Sequence, residues 1–457
     1  MKGDFSRDTF NPLRHFSRVL AQQGRLQLDA DSNEQSAILL HYLRTLARDL
    51  IGPYGGPDAG FSIGVGAGLK LDFLILAGRY YVDGILCENE RTDLTYATQA
   101  AYRADRDAIK AGETHFVYLD VWERHVSSLD DDAIHDVALG RADTMTRAQV
   151  MWQVRVAART PDDKPLPIDQ ATDWNDWLNK SGWPDKWQSP NRGQLKAMAR
   201  AAVTNDPNPC ILSPDARFRG LENQLYRVEI HSGGTAAAKT ATFKWSRDNG
   251  SVVFALTALD GAGKATLAEW GRGDCASLTR DDWVEVVDDD VALRGEAGPL
   301  AVVTSVQPDD GTVMLQAASA KPLPAYASGD YATKHVQLRR WDYKNKPGTS
   351  GGNRPKPADD GALLIEEGDS KWLALEDGVQ VLFTPAPAGA ENEYRTGDYW
   401  LIPARTAAGD IEWPGMMGNP QAQGPRGVEH HYAPLGIIGV KAAEVGWMAS
   451  FRKTLNL

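Results

Sequence analysis

Three groups of residues in this 457-residue chain have the side-chain types that acid–base or ligand chemistry uses. The first is Glu429-His430-His431-Tyr432. A histidine pair beside a carboxylate can move protons near neutral pH or hold a metal. Neighbours on a strand point to opposite faces, so both rings do not easily reach one ion. The expectation is one buried, hydrogen-bonded histidine and one exposed one. The second group is His115, His125 and His135, spaced at ten among Asp120, Glu123 and Asp130–Asp132. A metal site across a hairpin fits that spacing, but spacing alone is weak ground, and strand-end histidines among loop acids are the simpler account. The third is Trp245-Ser246-Arg247-Asp248, where a hairpin is expected to begin its turn. An arginine and an aspartate there clamp a substrate or, more commonly, satisfy the backbone of the turn.

Other motifs fail on their own chemistry. Asp29-Ala30-Asp31-Ser32-Asn33 opens like a calcium loop, but Glu34 and Leu40 stand where glycine and glutamate are needed, so helix capping is the reading. Gly64-Val65-Gly66-Ala67-Gly68 lacks the third glycine of a dinucleotide loop, and strands follow it rather than a helix. There is no Gly-x-Ser-x-Gly, no Walker loop and no His-Glu-x-x-His. Acidic residues are numerous enough for a glycosidase-type pair, but nothing picks out which two. No catalytic residue, cofactor or metal is therefore assigned, and no enzymatic activity is expected.

Tryptophan is unusually common, with 14 against 11 Phe. The segment Asp173–Trp187 carries Trp174, Trp177, Trp183 and Trp187. Exposed, they would stack on sugars or require a covering partner. The plainer reading is that they fill irregular core and interface space.

Net charge is −12, with no clear basic run, which argues against nucleic-acid binding. The longest apolar runs are too short for membrane insertion. Met1–Phe10 lacks the apolar centre of a signal peptide, so synthesis in the cytoplasm is expected. Cys87, Cys210 and Cys275 are an odd number without a Cys-x-x-Cys, and buried free thiols are expected.

The elements that would position these residues follow from periodicity. Ser32 and Gln35 fit a capping box, Leu39, Leu43, Leu46 and Leu50 recur at helical spacing, and Gly52-Pro53 is a stop. These predict a helix over 33–50 with a narrow leucine stripe suited to docking on one neighbour. Strands are predicted around 69–77, 79–87, 115–122 and 148–157. Asn249-Gly250 predicts a type I′ hairpin over Thr242–Leu256, and a second hairpin is predicted over Tyr399–Trp413. The fold class is α+β and β-dominated: an N-terminal helical arm followed by two or three small antiparallel sheet units. Its divisions are 1–55 (docking arm and helix), 56–160 (first β unit), 161–210 (Trp-rich helical insertion or linker), 211–345 (second β unit), 346–362 (exposed Pro/Gly loop) and 363–457 (C-terminal β unit).

The opening KGDFSRDTFNPLRHFSRVLAQQGRLQLDADSNEQ (2–35) is joined by collinear blocks, among them AGRYYVDGILCENE (77–90), FKWSRDNGSVVF (243–254), GDYWLIPARTAAGDIEWP (397–414) and GVEHHYAPL (427–435). Together they resemble an uncharacterised bacterial and archaeal domain family encoded beside phage-tail-like contractile injection systems. The chain departs from that family's pattern at Ser32, where tryptophan is usual. The resemblance implies a structural or adaptor subunit of such a particle (baseplate, cage, cap or luminal protein), released or acting outside the cell as part of it. Its partners would be other subunits, with self-association a further possibility. Arg14, Gln22, Gln23 and Arg25 would join the leucine stripe in docking. With Leu457 soon after the last block, the chain is expected to be the bare module. Two other functions stay open: a glycan-binding attachment module, and a cargo effector or hydrolase using His430, His431 or a carboxylate pair.

Overall fold

The computed structural model describes residues 1–5, 7–66, 68–100, 102, 107–139, 144–160, 162–166, 172–184, 192–200, 217–270, 277–319, 322–343, 353–416, 418–441 and 444–455. The fold is β-dominated, with one long N-terminal helix and several antiparallel sheets. The chain forms two compact units and passes between them more than once. The first comprises Met1–Asp8, Val126–Thr146 and Asn191–Gly427, and the second Thr9–His125, Arg147–Pro190 and Val428–Leu457.

In the second unit, helix α1 (Asp29–Ile51) begins earlier than the capping signal implied. Its N-cap, Leu28, makes no side-chain cap bond, while Asp29 and Asp31 place negative charge in the first turn. Ser32 lies inside the helix. Gln35 Oε1 accepts from the Val19 N–H at 2.8 Å instead of folding back on a cap. The arm before the helix outbids the local motif for that side chain.

Strands Glu444–Ser450, His431–Lys441, Thr114–Val126 and Arg147–Ala157 form a four-stranded sheet in that order. Thr114–Val126 is buried on both faces. Val117, Leu119 and Val121 enter one core with Phe61, Phe73 and Tyr80, while Phe116 on the other face enters an aromatic cluster. The hairpin Gly78–Val82/Ile85–Asn89 turns at Asp83 and Gly84, both at positive φ as a type I′ turn requires.

The first unit holds a closed six-stranded barrel and two open sheets. The barrel order is Val253–Leu259, Lys264–Leu267, Thr312–Ala317, Leu300–Gln307, Trp283–Val287 and Gln337–Trp341, the last pairing back with the first. Val284, Val286 and Leu338 fill its interior. The alternate residues Trp283 and Glu285 face outward, as a two-residue period demands. The five-stranded sheet is centred on Gln224–Ile230, flanked by Thr242–Ser246 and Tyr399–Arg405. Tyr226, Val228, Phe243 and Trp245 line its apolar core.

The Thr242–Leu256 hairpin does not form. Asn249 and Gly250 do take positive φ, and the Ser251 N–H donates to Asp248 O at 2.9 Å, so the turn itself is present. But Thr242–Ser246 belongs to the five-stranded sheet and Val253–Leu259 to the barrel. Leu225 takes the backbone bonds on either side of the turn, with its N–H donating to Arg247 O and its carbonyl accepting from the Asn249 N–H. The turn therefore redirects the chain between two sheets. The second predicted hairpin does form, pairing Ala404 with Ile411 and Arg405 with Asp410.

Candidate functional site

Helix α1 binds its own unit with its less apolar side. Ala30 and Ile38 are buried, the Arg44 guanidinium donates to both Glu123 oxygens at 2.7 and 3.2 Å, and Arg48 lies 3.4 Å from Asp83. The backbone comes closer still at Gly84. Any Cβ there would sit 2.1 Å from Arg44 O, so only glycine lets the hairpin turn meet the helix. The leucine stripe is left outside: Leu39, Leu43, Leu46 and Leu50 are 54, 64, 57 and 77% exposed. An amphipathic helix ordinarily turns that stripe inward. Thr9 and Phe10 reach back to Glu34 and His41. The rest of the arm presents Arg14, Gln22, Gln23 and Arg25, all exposed, together with exposed Leu13, Leu20 and Leu26. Residues 9–28 include Arg14, Arg18 and Arg25 and no acid. The docking residues expected from the sequence are thus all exposed.

Trp245, Arg247 and Asp248 fall together in a cleft of about 450 Å³ in the first unit. Arg247 Nη2 donates to Glu376 Oε2 at 2.7 Å, and its backbone N–H to Asp342 Oδ2 at 2.9 Å. Arg340 lies 3.3 Å from Asp342 and 3.4 Å from Asp248. Burial, reinforced by neighbouring carboxylates, lifts Asp248 to about 6. Burial also lifts Glu376 to about 7, outweighing the Arg247 guanidinium. For Arg247, burial works against the charge, but Glu376 and Asp342 outweigh it and hold the group above its ordinary value. The expected clamp is thus part of a larger set. Glu376, Asp342, Trp283 and Tyr343 lie in distant sequence and carried no local signal.

The other candidates do not converge. His430 Nδ1 faces Asp120 at 2.6 Å, and His431 Nδ1 faces Asp83 at 2.9 Å. Both histidines are half-buried, so the expected split into one buried and one exposed ring is corrected. Each lies on its own carboxylate, and each carboxylate is shared with an arginine, Arg155 or Arg48. Among the described residues, no group of three or more His, Cys, Asp or Glu is placed to hold a metal ion. His115 is buried, and desolvation lowers its pKa.

Trp174 is buried and stacks on Trp447 at 5.8 Å. Trp177 and Trp183 are half-buried against Phe116. Of the two readings of these indoles, the geometry is that of an aromatic cluster rather than an exposed platform, because Phe116 and Trp447 of the neighbouring sheet cover them. Trp187, Cys210 and Cys275 lie outside the described residues. Cys87 is a free buried thiol, pushed up to about 12 by desolvation.

Sequence reasoning also missed a buried ionic network in the first unit. Lys244 Nζ lies 2.6 Å from Glu285 and 3.4 Å from Glu229. Lys2 lies 2.9 Å and Arg227 2.5 Å from Glu229. Trp341 Nε1 and the Gly298 N–H complete the bonds of Glu285. Arg227, Glu229 and Lys244 are all buried, where charged side chains are rare unless paired.

The family model for a family of unknown function, DUF6519, matches residues 1–174 and 189–449, and the chain belongs to that family. No curated protein and no solved structure matches it.

Proposed function

We propose that this protein is a structural adaptor that docks onto a neighbouring protein subunit through the leucine face of α1 and its arginine-bearing arm. The observation that carries the reading is that face itself: four leucines at helical spacing, each more than half exposed, on a helix held by its opposite side. Apolar surface of this kind, rimmed by polar residues, marks interaction sites. The occupant we assign is an apolar groove edged by carboxylates, because residues 9–28 supply three arginines and no acid. Such grooves receive amphipathic helices through residues at i, i+4, i+7 and i+11, the spacing of Leu39, Leu43, Leu46 and Leu50.

The assembly we propose is a phage-tail-like contractile injection particle, made in the cytoplasm and acting outside the cell. Its support is the run of collinear sequence blocks and their resemblance to proteins encoded with such systems. The role needs no chemical step, cofactor or metal.

The test is the copy number of the full-length protein in purified particles, wild type against Leu43→Glu/Leu46→Glu. Loss of the variant from otherwise intact particles is expected. Undiminished copy number, or particles that contain no copy of the wild type, contradicts the proposal. A wild-type dimer of the isolated protein that the variant disperses would make a second copy the occupant and would overturn the assignment to a different subunit.

A further inference from the structure

We infer that Arg155 and His430, held on the two oxygens of the buried Asp120 carboxylate, form a binding site for a phosphate group, free or carried on a larger molecule. No residue of the site lies on α1 or its arm, so this inference stands or falls apart from the docking proposal.

Three observations carry it. The first is convergence. Thr114–Val126 supplies Asp120, and its sheet neighbour Arg147–Ala157 supplies Arg155. His430 immediately precedes His431–Lys441, the neighbour on the other side. His430 Nδ1 lies 2.6 Å from Asp120 Oδ1, and Arg155 Nε lies 2.9 Å from Asp120 Oδ2. The second is the anchor. The Asp120 side chain is 4% exposed, whereas those of Arg155 and His430 are 35 and 33% exposed. The imidazole also lies against Trp122 and Tyr432, with ring centroids 5.3 and 6.1 Å away. A ring engaged at Nδ1 and along its face has Nε2 left to meet a ligand. The third is what remains unspent. Among the described residues, no other hydrogen bond or ion pair engages the Arg155 guanidinium or His430 Nε2. A buried carboxylate needs its charge paired, and Arg155 alone does that, so the site holds more donors than Asp120 requires.

The donors select the ligand. A guanidinium meets phosphate oxygens through its planar fork of N–H groups, and an imidazolium Nε2–H adds a donor from a second direction. A phosphate group has oxygens to face both. A carboxylate has two, in one plane, and a guanidinium alone satisfies them. A metal ion is the poorer occupant. The guanidinium beside His430 is always charged, and among the described residues no group of three or more His, Cys, Asp or Glu is placed to hold one.

The test titrates the full chain with inorganic phosphate, methyl phosphate, acetate and zinc, each in turn, followed by calorimetry and by NMR of the histidine rings. Saturable binding of at least one of the two phosphates is expected, with the largest ring shift at His430. Methyl phosphate binding alone assigns the group to a larger molecule; binding of both admits free phosphate. Arg155→Lys and His430→Gln should each weaken binding about tenfold or more, since each removes a charge-assisted contact. His431→Gln, whose ring lies on Asp83 instead, should leave it unchanged. The His430 shift is read on the wild type, so the test stays decisive if a variant does not fold. Four results overturn the inference: neither phosphate saturates, acetate or zinc saturates at lower concentration than the phosphates, another histidine responds in place of His430, or folded Arg155→Lys and His430→Gln bind as tightly as the wild type.

Discussion

Lys244 and Glu229 sit directly opposite one another on neighbouring strands, both almost fully buried. Cross-strand pairs of opposite charge stabilise a sheet, but here the pair is out of water and joined by Glu285, Lys2 and Arg227. In such a network, removing one partner leaves the others charged without compensation. Lys244→Met is therefore expected to destabilise the protein by about 3–5 kcal/mol in urea unfolding, the usual cost of breaking a buried pair. The network also fixes a pH dependence. Lys244 and Lys2 outweigh burial and hold Glu285 at about 2, against 4.5 for the free side chain, and Glu229 is likewise well below its ordinary value. As pH falls below 4.5 the unfolded chain takes up these protons first. The stabilisation is thus complete above 4.5 and lost as pH falls toward about 2. Urea midpoints should decline steeply across that window in the wild type and less steeply in Lys244→Met. Parallel slopes would count against the network.

At the scale of elements, α1 depends on one close approach. Gly84 holds φ +80° with the Arg44 carbonyl where a Cβ would lie. Gly84→Ala is expected to cost about 2 kcal/mol or more, since the left-handed conformation alone costs about 1–2 kcal/mol and the steric conflict adds to it. Hydrogen exchange should localise the loss to α1 and the Gly78–Asn89 hairpin; a uniform loss of protection would contradict the geometry. The Asn249-Gly250 turn, the leucine period and the Tyr399–Trp413 hairpin were legible in the sequence because each depends on residues a few positions apart. Asn249-Gly250 shows where that legibility stops. Its positive φ values are a local property, but the sheet each flanking strand joins is set by Leu225 and by barrel closure, which no short window contains. The same limit applies to the cleft. Trp245, Arg247 and Asp248 were visible as a group, while Glu376 stands 129 residues beyond Arg247 and Asp342 95 residues beyond it. The sequence left two readings of Trp174, Trp177 and Trp183 open because what covers them, Phe116 and Trp447, comes from distant strands.

At the scale of the whole molecule, the two units satisfy their cores internally, with three large apolar clusters and a smaller aromatic one. The α1 stripe joins none of them. Leu43 and Leu46 meet mainly solvent, so Leu43→Glu/Leu46→Glu should leave unfolding of the isolated protein within about 0.5 kcal/mol of the wild type per site, as exposed substitutions do. The same pair would place two charges in the centre of a docked helix interface, where an unpaired buried charge is not tolerated. Isolated stability and incorporation into an assembly are therefore expected to separate. The most direct measurement is quantitative mass spectrometry of purified particles carrying this double variant, beside its urea unfolding curve. The expected result is a normally folded protein missing from intact particles; a normally folded variant present at the wild-type copy number would contradict the role assigned to α1.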